Sequence, residues 1–538
     1  MDESIKILPN FKKFNSYIGD VKQGISPIML SGLTDVAKIH FAYSTFFYTE
    51  KPICIVTYNE LQAKKIIKDL QYFTNKVEYF PRREILSYDY LAESKDISNE
   101  RINCLNNKYS KKAKIIVTTI EAASQKIVTK NELYKNIVEI KENSIIELEE
   151  LKKKLFYLGY ERRDLVENAG EYSIRGGIID IGITKETGIR IELWGDEVDS
   201  IREFNIMSQR STEKVKTAKI YPATEFVLER NIEEVISDIL NDFDEEKVAE
   251  DIEEIKNGNY LSKVDKYFNY FYKNSETIID YIKENYIIFL DEISKIKARS
   301  ENIIKDNQNV IKSLMEKKRT VPQALTNLNN YIDFLGLIKN IQTIYLEKQD
   351  IGFVDKQSMH AKRNGYSFSY REVNFFRSSM DLCFKEIQQA QHDKKTIVIL
   401  TGNKDNTKKV KDLLLEKLEN LNNVTVKEGE LSSGFECYDF NLLVICVKEL
   451  FAVPQKRKKL SQDFKQGETV IFSDLKIGDY VVHKTNGIGV FIGVNTIKAD
   501  GVTKDYIKIK YKDDDILYIP TNNLDNIRKY IGTDSRAP

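Results

Sequence analysis

Residues 472–532, FSDLKIGDYVVHKTNGIGVFIGVNTIKADGVTKDYIKIKYKDDDILYIPTNNLDNIRKYIG, constrain the fold more than any other stretch of this chain. Runs rich in Val, Ile and Tyr at 479–483, 488–497, 505–511 and 516–519 are separated by Asn486-Gly487, Asp500-Gly501 and Asp513-Asp514, which are hairpin-turn dipeptides. In the third run Ile507, Ile509 and Tyr511 alternate with Lys508 and Lys510, so one face is apolar and the other wet. The pattern predicts a small antiparallel barrel. Gly487 and Gly489 read as glycines that allow a tight turn, and His483, with no nucleophile or metal partner beside it, as a core or turn residue. Nothing in the segment is catalytic.

A chain of 538 residues suffices for roughly three or four domains of about 150 residues each. Its 82 Lys and Arg balance 82 Asp and Glu, which excludes a global positive field and favours protein partners over DNA. The five cysteines form no C-x-x-C pair and the four histidines do not cluster at ligand spacing, so no metal site and a reducing, cytoplasmic setting are expected. The first residues, MDESIKILPNFKKF, have no apolar h-region, and no window holds eighteen apolar residues. A soluble chain with no membrane partner is expected.

From Pro27 to Thr119, apolar runs at 28–30, 53–57 and 115–119 alternate with amphipathic helical patterns, the βαβ grammar of a parallel sheet. After Asn59, a candidate cap, Leu61, Ile66, Ile67, Leu70 and Phe73 fall near one helix face. Residues 126–214 change to short strands and glycine-punctuated turns, a small inserted α+β domain. The predicted organisation is α/β multidomain: one domain from 1–125 and 215–345, charged and mostly helical in its second part apart from a strand at 286–290; the insertion at 126–214; a further α/β domain at 346–455 with strands at 396–400 and 442–447. A linker at 456–472 and the barrel at 473–538 complete it. The basic run 456–459 reads as part of a solvated linker.

A phosphate-binding loop belongs in the first βα turn, where backbone N–H groups and a helix N-terminus cradle anions. Against G-x-x-x-x-G-K-[ST], Gly32 and Lys38 fit, Ala37 replaces the second glycine, and Ile39 replaces the hydroxyl that ligates Mg²⁺. Asp35 adds negative charge. The loop is therefore expected to be degenerate and the chain to have no catalytic residues of its own. Asp291-Glu292 has the look of the acidic pair of a second nucleotide motif, but without a competent first motif the expected role is a solvated helix start.

The terminal pattern G-D-x-V-V-H-x-x-x-G-I-G, at 478–489, and K-D-Y-x-x-I-x-Y, at 504–511, resembles the RNA-polymerase-interacting domain of the transcription-repair coupling factor (Mfd) family. The degenerate loop with an inserted domain, over about residues 1–345, resembles that family's UvrB-homologous module. The segment YFPRREILSYDYLAESKDISNERI departs from UvrB, lacking the long aromatic hairpin that enters damaged DNA. The resemblance implies the N-terminal portion of such a factor, with a degenerate RecA-like, helicase-type sheet, a Tudor-like barrel and no cofactor. The partners implied are the polymerase β subunit and UvrA, with double-stranded DNA, ATP and Mg²⁺ belonging to a motor outside this chain, and a monomer. Motif matching implies UvrA contacts at Arg162 (G-Y-x-R), Arg175 (G-x-[FY]-x-x-R-G), Arg190 and Glu192 (R-x-E). Alternatively, Arg190 and Glu192 pair with each other across solvent, worth about 0.5 kcal/mol. The family continues R-G-G-I-I-D-I-[FY]-P where this chain has Gly182-Ile183, so an aromatic residue is missing there. Polymerase contact is implied at Thr496, Ile497 and Lys498, beside the 498–501 turn; Ile497 reads equally as a core residue ending its strand. A UvrB-like ATP-dependent helicase and a CarD-like transcription regulator are the competing functions.

Overall fold

The computed structural model describes residues 3–83, 95–112, 114–228, 230–243, 245–257, 263–316, 327–349, 364–373, 380–418, 420–450, 478–483, 487–499, 502–511, 516–520 and 527–529. They fall into a large compact unit within residues 3–450 and a small one within 478–529.

The large unit is built on a seven-stranded sheet in the order Asn364–Ser367, Ile28–Ser31, Thr343–Leu346, Ile287–Asp291, Ile53–Thr57, Ile115–Thr119, Val77–Phe80. Every neighbouring pair is parallel. Its central strands IMLS, ICIVT, IIVTT and IIFLD are buried at every position, because a parallel sheet is covered on both faces. One face packs on Tyr267, Phe268 and Tyr281, the other on Phe14, Tyr17 and Phe41. The helix Glu60–Phe73 starts where expected, with Asn59 accepting from the Gln62 amide at 2.8 Å. Its face differs from the expected one: Leu61 is 81% exposed, while Ala63, Ile66, Asp69 and Leu70 are buried. At 100° per residue, Leu61 lies about 140° from Ile66 and cannot share its stripe. Asp69 fills the face instead, accepting from the Ser432 amide at 2.6 Å and hydroxyl at 2.7 Å. The strands Val77–Phe80 and Thr343–Leu346 were not evident in the sequence. Asn364–Ser367, expected with the later α/β segment, pairs instead with Ile28–Ser31 at the edge of the first sheet.

Between the helix Lys95–Tyr109 and the residues following the insertion lies a buried ion pair. Arg101, 0% exposed, donates from Nε and Nη2 to Glu225 at 2.9 Å each, and from Nη1 to the Pro81 carbonyl at 2.7 Å and Gln125 Oε1 at 2.9 Å. Its guanidinium lies 4.1 Å from the centre of the Phe80 ring.

The insertion folds as a six-stranded sheet in the order Ser211–Lys214, Glu197–Asn205, Thr187–Trp194, Ile178–Gly182, Glu171–Arg175, Glu161–Arg162, with a two-stranded pair, Val138–Lys141 and Thr217–Ile220, beside it in sequence. One face is covered by the helix Leu148–Tyr157 over a core of Leu151, Leu155, Ile179, Ile181, Ile191 and Ile201. A further mixed sheet of five strands, Tyr370–Glu372, Phe435–Cys437, Leu442–Cys446, Thr396–Leu400 and Val424–Lys427, forms the later α/β part.

The small unit is a five-stranded antiparallel sheet in the order Ile516–Pro520, Val502–Lys510, Gly487–Ala499, Tyr480–His483, Ile527–Lys529. Val481, Phe491, Ile507 and Ile509 form its core, as the alternation required. No ladder joins the two edge strands among the described residues, so a closed barrel is not observed. The expected linker, 456–472, lies outside the described residues.

Candidate docking face and the loop after the first strand

Alternation puts Ser173, Arg175, Ile178, Asp180, Arg190, Glu192, Trp194 and Arg202 on the face of the inserted sheet opposite its core. Register sets Arg190 directly across from Asp180, with Arg202 on its other side. Asp180, its side chain 1% exposed, is the centre of this face. Arg190 donates to it from Nε at 2.7 Å and Nη2 at 3.0 Å, and Arg175 from Nη2 at 2.7 Å. Arg190 also donates to the Gln209 carbonyl at 3.2 Å and lies 4.8 Å from the Phe204 ring centre. The hydrogen bonds and charge of Asp180 hold the Arg190 guanidinium above its usual titration range. Such a fork leaves both arginines fixed, with Arg175 half-exposed, a geometry suited to planar carboxylate recognition.

Arg190 and Glu192 do not pair with each other. Glu192 accepts from Ser200 Oγ at 2.7 Å and has Arg202 at 3.7 Å. Arg175, Arg190 and Glu192 are thus brought together, but Arg162 is not: it pairs with Tyr172, a residue of the core face, at the sheet's edge, and is exposed. Asp180 and Arg202 were missed. An acid between isoleucines in GGIIDIGI is the signal that points to Asp180, since a charge in a half-buried strand needs a partner. The Gly182 departure has a local cause: a Cβ there would lie 2.3 Å from the Asn168 carbonyl oxygen and 2.9 Å from Val166, so this backbone leaves no room for an aromatic side chain.

At the first βα turn, Gly32 has φ +75°, and a Cβ on it would sit 1.9 Å from the Phe368 carbonyl oxygen. Nearby N–H groups are engaged: Leu33 donates to the Glu347 carbonyl, Ala37 to the Thr34 hydroxyl, and Lys38 to the Thr34 carbonyl. Lys38 is buried, its Nζ 2.7 Å from Asp291 and in contact with Glu292, and Ile39 is buried in the core. Asp291 also accepts from Thr57 Oγ1 at 2.8 Å and Gln62 Nε2 at 3.3 Å. The expected solvated helix start is therefore corrected: Asp291 ends a fully buried strand, 1% exposed, because Lys38 neutralises it from 253 residues away. Burial opposes the charge on Lys38, but Asp291 and Glu292 outweigh it, so the ammonium titrates above its ordinary value. Burial would likewise raise Asp35, yet Lys65 and Lys348 hold its carboxyl down at about 2. Burial pushes the Glu347 carboxyl, whose Oε1 accepts from the Ile293 amide, up to about 7. The lysine and several loop amides have partners within the fold, and Ile39 stands where the phosphate-loop pattern has a hydroxyl. Among the described residues no group of three or more His, Cys, Asp or Glu is placed to hold a metal, and no helix is long and apolar enough to cross a membrane.

In the small unit, Thr496, Ile497 and Lys498 pair with Asp505, Lys504 and Thr503. The strand runs on to Ala499, so Lys498 is a ladder residue and not part of the turn. Gly487 and Gly489 are also ladder residues, opposite His483 and Val481. A Cβ on Gly489 would lie 2.4 Å from Ile509 Cγ2 and 3.0 Å from the Lys510 carbonyl oxygen, so this glycine serves close strand packing.

Residues 138–226 match the family described as UvrB interaction domain, and residues 475–531 the family described as CarD-like/TRCF RID domain. Along 100% of its length the chain is 30% identical to a transcription-repair-coupling factor of Bacillus subtilis (strain 168), covering 48% of that protein. It is 27% identical to one of Staphylococcus aureus (strain MRSA252), over 99% of this chain and 48% of the relative. A third, from Staphylococcus epidermidis, is 28% identical over 96% of the chain and 46% of the relative. The chain is similar along its whole length to transcription-repair-coupling factors and spans about half the length of these curated relatives.

Proposed function

We propose that this chain is an adaptor, the N-terminal half of a transcription-repair-coupling factor, that docks RNA polymerase through its terminal sheet and UvrA through its inserted sheet. The observation that carries this reading is the presence of both matched modules on one chain, with the Asp180-centred arginine fork on the solvent side of the first. The polymerase contact is assigned to the β subunit at Thr496, Ile497 and Lys498, on the five-stranded antiparallel sheet of the small unit. An antiparallel sheet with an open edge accepts a partner's strand through backbone hydrogen bonds. UvrA contact is assigned to Arg175, Arg190 and Glu192, with Arg162 at the sheet's edge as an outlying contact. The seven-stranded sheet is a RecA-like body that has lost nucleotide binding, its lysine turned to Asp291 and Glu292. ATP, Mg²⁺ and double-stranded DNA engage a translocase motor in the rest of the factor, and the protein works as a monomer in the cytoplasm.

Titration against the N-terminal part of the polymerase β subunit and against UvrA tests both contacts. Ile497→Arg is expected to weaken β-subunit binding at least about tenfold and leave UvrA binding unchanged, and Arg190→Glu to do the reverse. Polymerase binding without any UvrA binding would favour a CarD-like regulator. DNA-stimulated ATP hydrolysis by this chain would favour a UvrB-like helicase.

A further inference from the structure

We propose that the open edge of the seven-stranded sheet, the strand Val77–Phe80, is a docking groove for one extended peptide segment that carries a lysine or arginine for Glu78. Among the described residues this outermost strand pairs with Ile115–Thr119 alone. The Ile115 amide donates to the Lys76 carbonyl at 3.2 Å and the Thr118 hydroxyl to the Phe80 carbonyl at 2.9 Å, so Lys76, Glu78 and Phe80 turn their backbone inward. Val77 and Tyr79 turn theirs to the open side, where an added strand would bond to it. A cleft of about 880 Å³ lies against Val77, Glu78 and Tyr79. Ile67 and Gln71 line it from the helix Glu60–Phe73, Asn103 and Asn107 from the helix Lys95–Tyr109, and Ile183 from the insertion. It thus opens to both helical layers of the sheet, and an extended chain, whose side chains alternate between faces, has the shape that reaches both.

Polar atoms without partners select the occupant. Glu78 is half-buried, and Asn107 Nδ2 donates to its Oε1 at 2.8 Å. Burial pushes its carboxyl above the usual range and nearby Glu100 adds to the push, against the Asn107 hydrogen bond; no cation among the described residues offsets them. Lys112 and Lys219, exposed elsewhere in the lining, make no ion pair with it. Tyr79 Oη and Asn106 Oδ1, both in the same lining, are buried without a hydrogen-bond partner. A carboxylate, a hydroxyl and an amide oxygen are satisfied together by backbone amides and one basic side chain. A second copy of this chain fits less well, since two-fold pairing of this edge would bring Glu78 towards Glu78 and supply no cation.

A phage-displayed library of random linear peptides, panned on the chain, is expected to yield sequences with a lysine or arginine set among β-branched residues. A synthetic copy of one should bind the chain at least about tenfold more tightly than it binds Glu78→Gln, or Val77→Pro, which removes an outward amide and no ladder hydrogen bond. Tyr79→Phe removes a buried hydroxyl that has no partner, so it should raise the melting temperature while weakening the peptide, a combination that a purely structural tyrosine would not give. A library that yields no such sequence, or a peptide that binds Glu78→Gln within about twofold of the parent, would overturn the groove. Dimerisation of the chain that Val77→Pro abolishes would overturn it in favour of self-pairing.

Discussion

Arg101→Met is expected to lower the stability of the large unit by about 3–5 kcal/mol, read as a shift of its first unfolding transition in urea. Arg101 is wholly buried and spends its donors on Glu225, the Pro81 carbonyl and Gln125. Methionine fills much of the volume but strands a carboxylate whose side chain is 2% exposed, and an unpaired buried charge costs far more than the pair contributes. Arg83 Nε, 3.3 Å from Glu225, offsets only part of that cost. Since domains are stable by only about 5–15 kcal/mol, most of the margin would go. The double variant Arg101→Met/Glu225→Leu removes both charges and should recover part of the loss. A single variant as stable as the parent would mean that the pair does not hold the segments around the insertion together.

Lys38→Met should cost about 3 kcal/mol at neutral pH, because Asp291 and Glu292 would face each other without a cation. Thr57 and Gln62 still donate to Asp291, which keeps the effect at the lower end of the range for a broken buried pair. The sign with pH differs between the two proteins. In the parent, Lys38 titrates above its ordinary 10.5, so its stabilisation is complete below pH 10.5 and is lost only as pH rises beyond it. In the variant, the unpaired carboxylates bind protons more tightly folded than unfolded, so the deficit shrinks as pH falls through the carboxylate range. Binding of a fluorescent ATP analogue should be absent from both proteins. Nucleotide binding by the parent that Lys38→Met abolishes, with no change in stability, would make this a phosphate-binding lysine and contradict its structural role.

These two lysine and arginine sites show where sequence reading stops. The βαβ order of the first domain was legible because its central strands are short runs dominated by Ile and Val, and the terminal ladders were legible because turn dipeptides and Ile–Lys alternation mark them. Both signals are local. The partner of Asp291 is not: Lys38 lies in another βα unit, so the acidic pair looked like an exposed helix start until the sheet brought the two together. Arg190 repeats the lesson, since its nearest acid in sequence is Glu192 but its partner is Asp180 on the adjacent strand. Leu61 shows the converse error, an apolar residue placed on a buried stripe that its angular position excludes. The short strand Thr343–Leu346 gave little periodicity to read, because it is buried on both faces, Ile344 and Leu346 in one core and Tyr345 in the other.

The most direct measurement is size-exclusion chromatography with light scattering of this chain mixed with UvrA and the N-terminal part of the polymerase β subunit. An adaptor with two separate docking modules predicts one complex containing all three, which loses UvrA with Arg190→Glu and the β fragment with Ile497→Arg. Elution of UvrA and the β fragment only in separate complexes, or of neither with this chain, would contradict it.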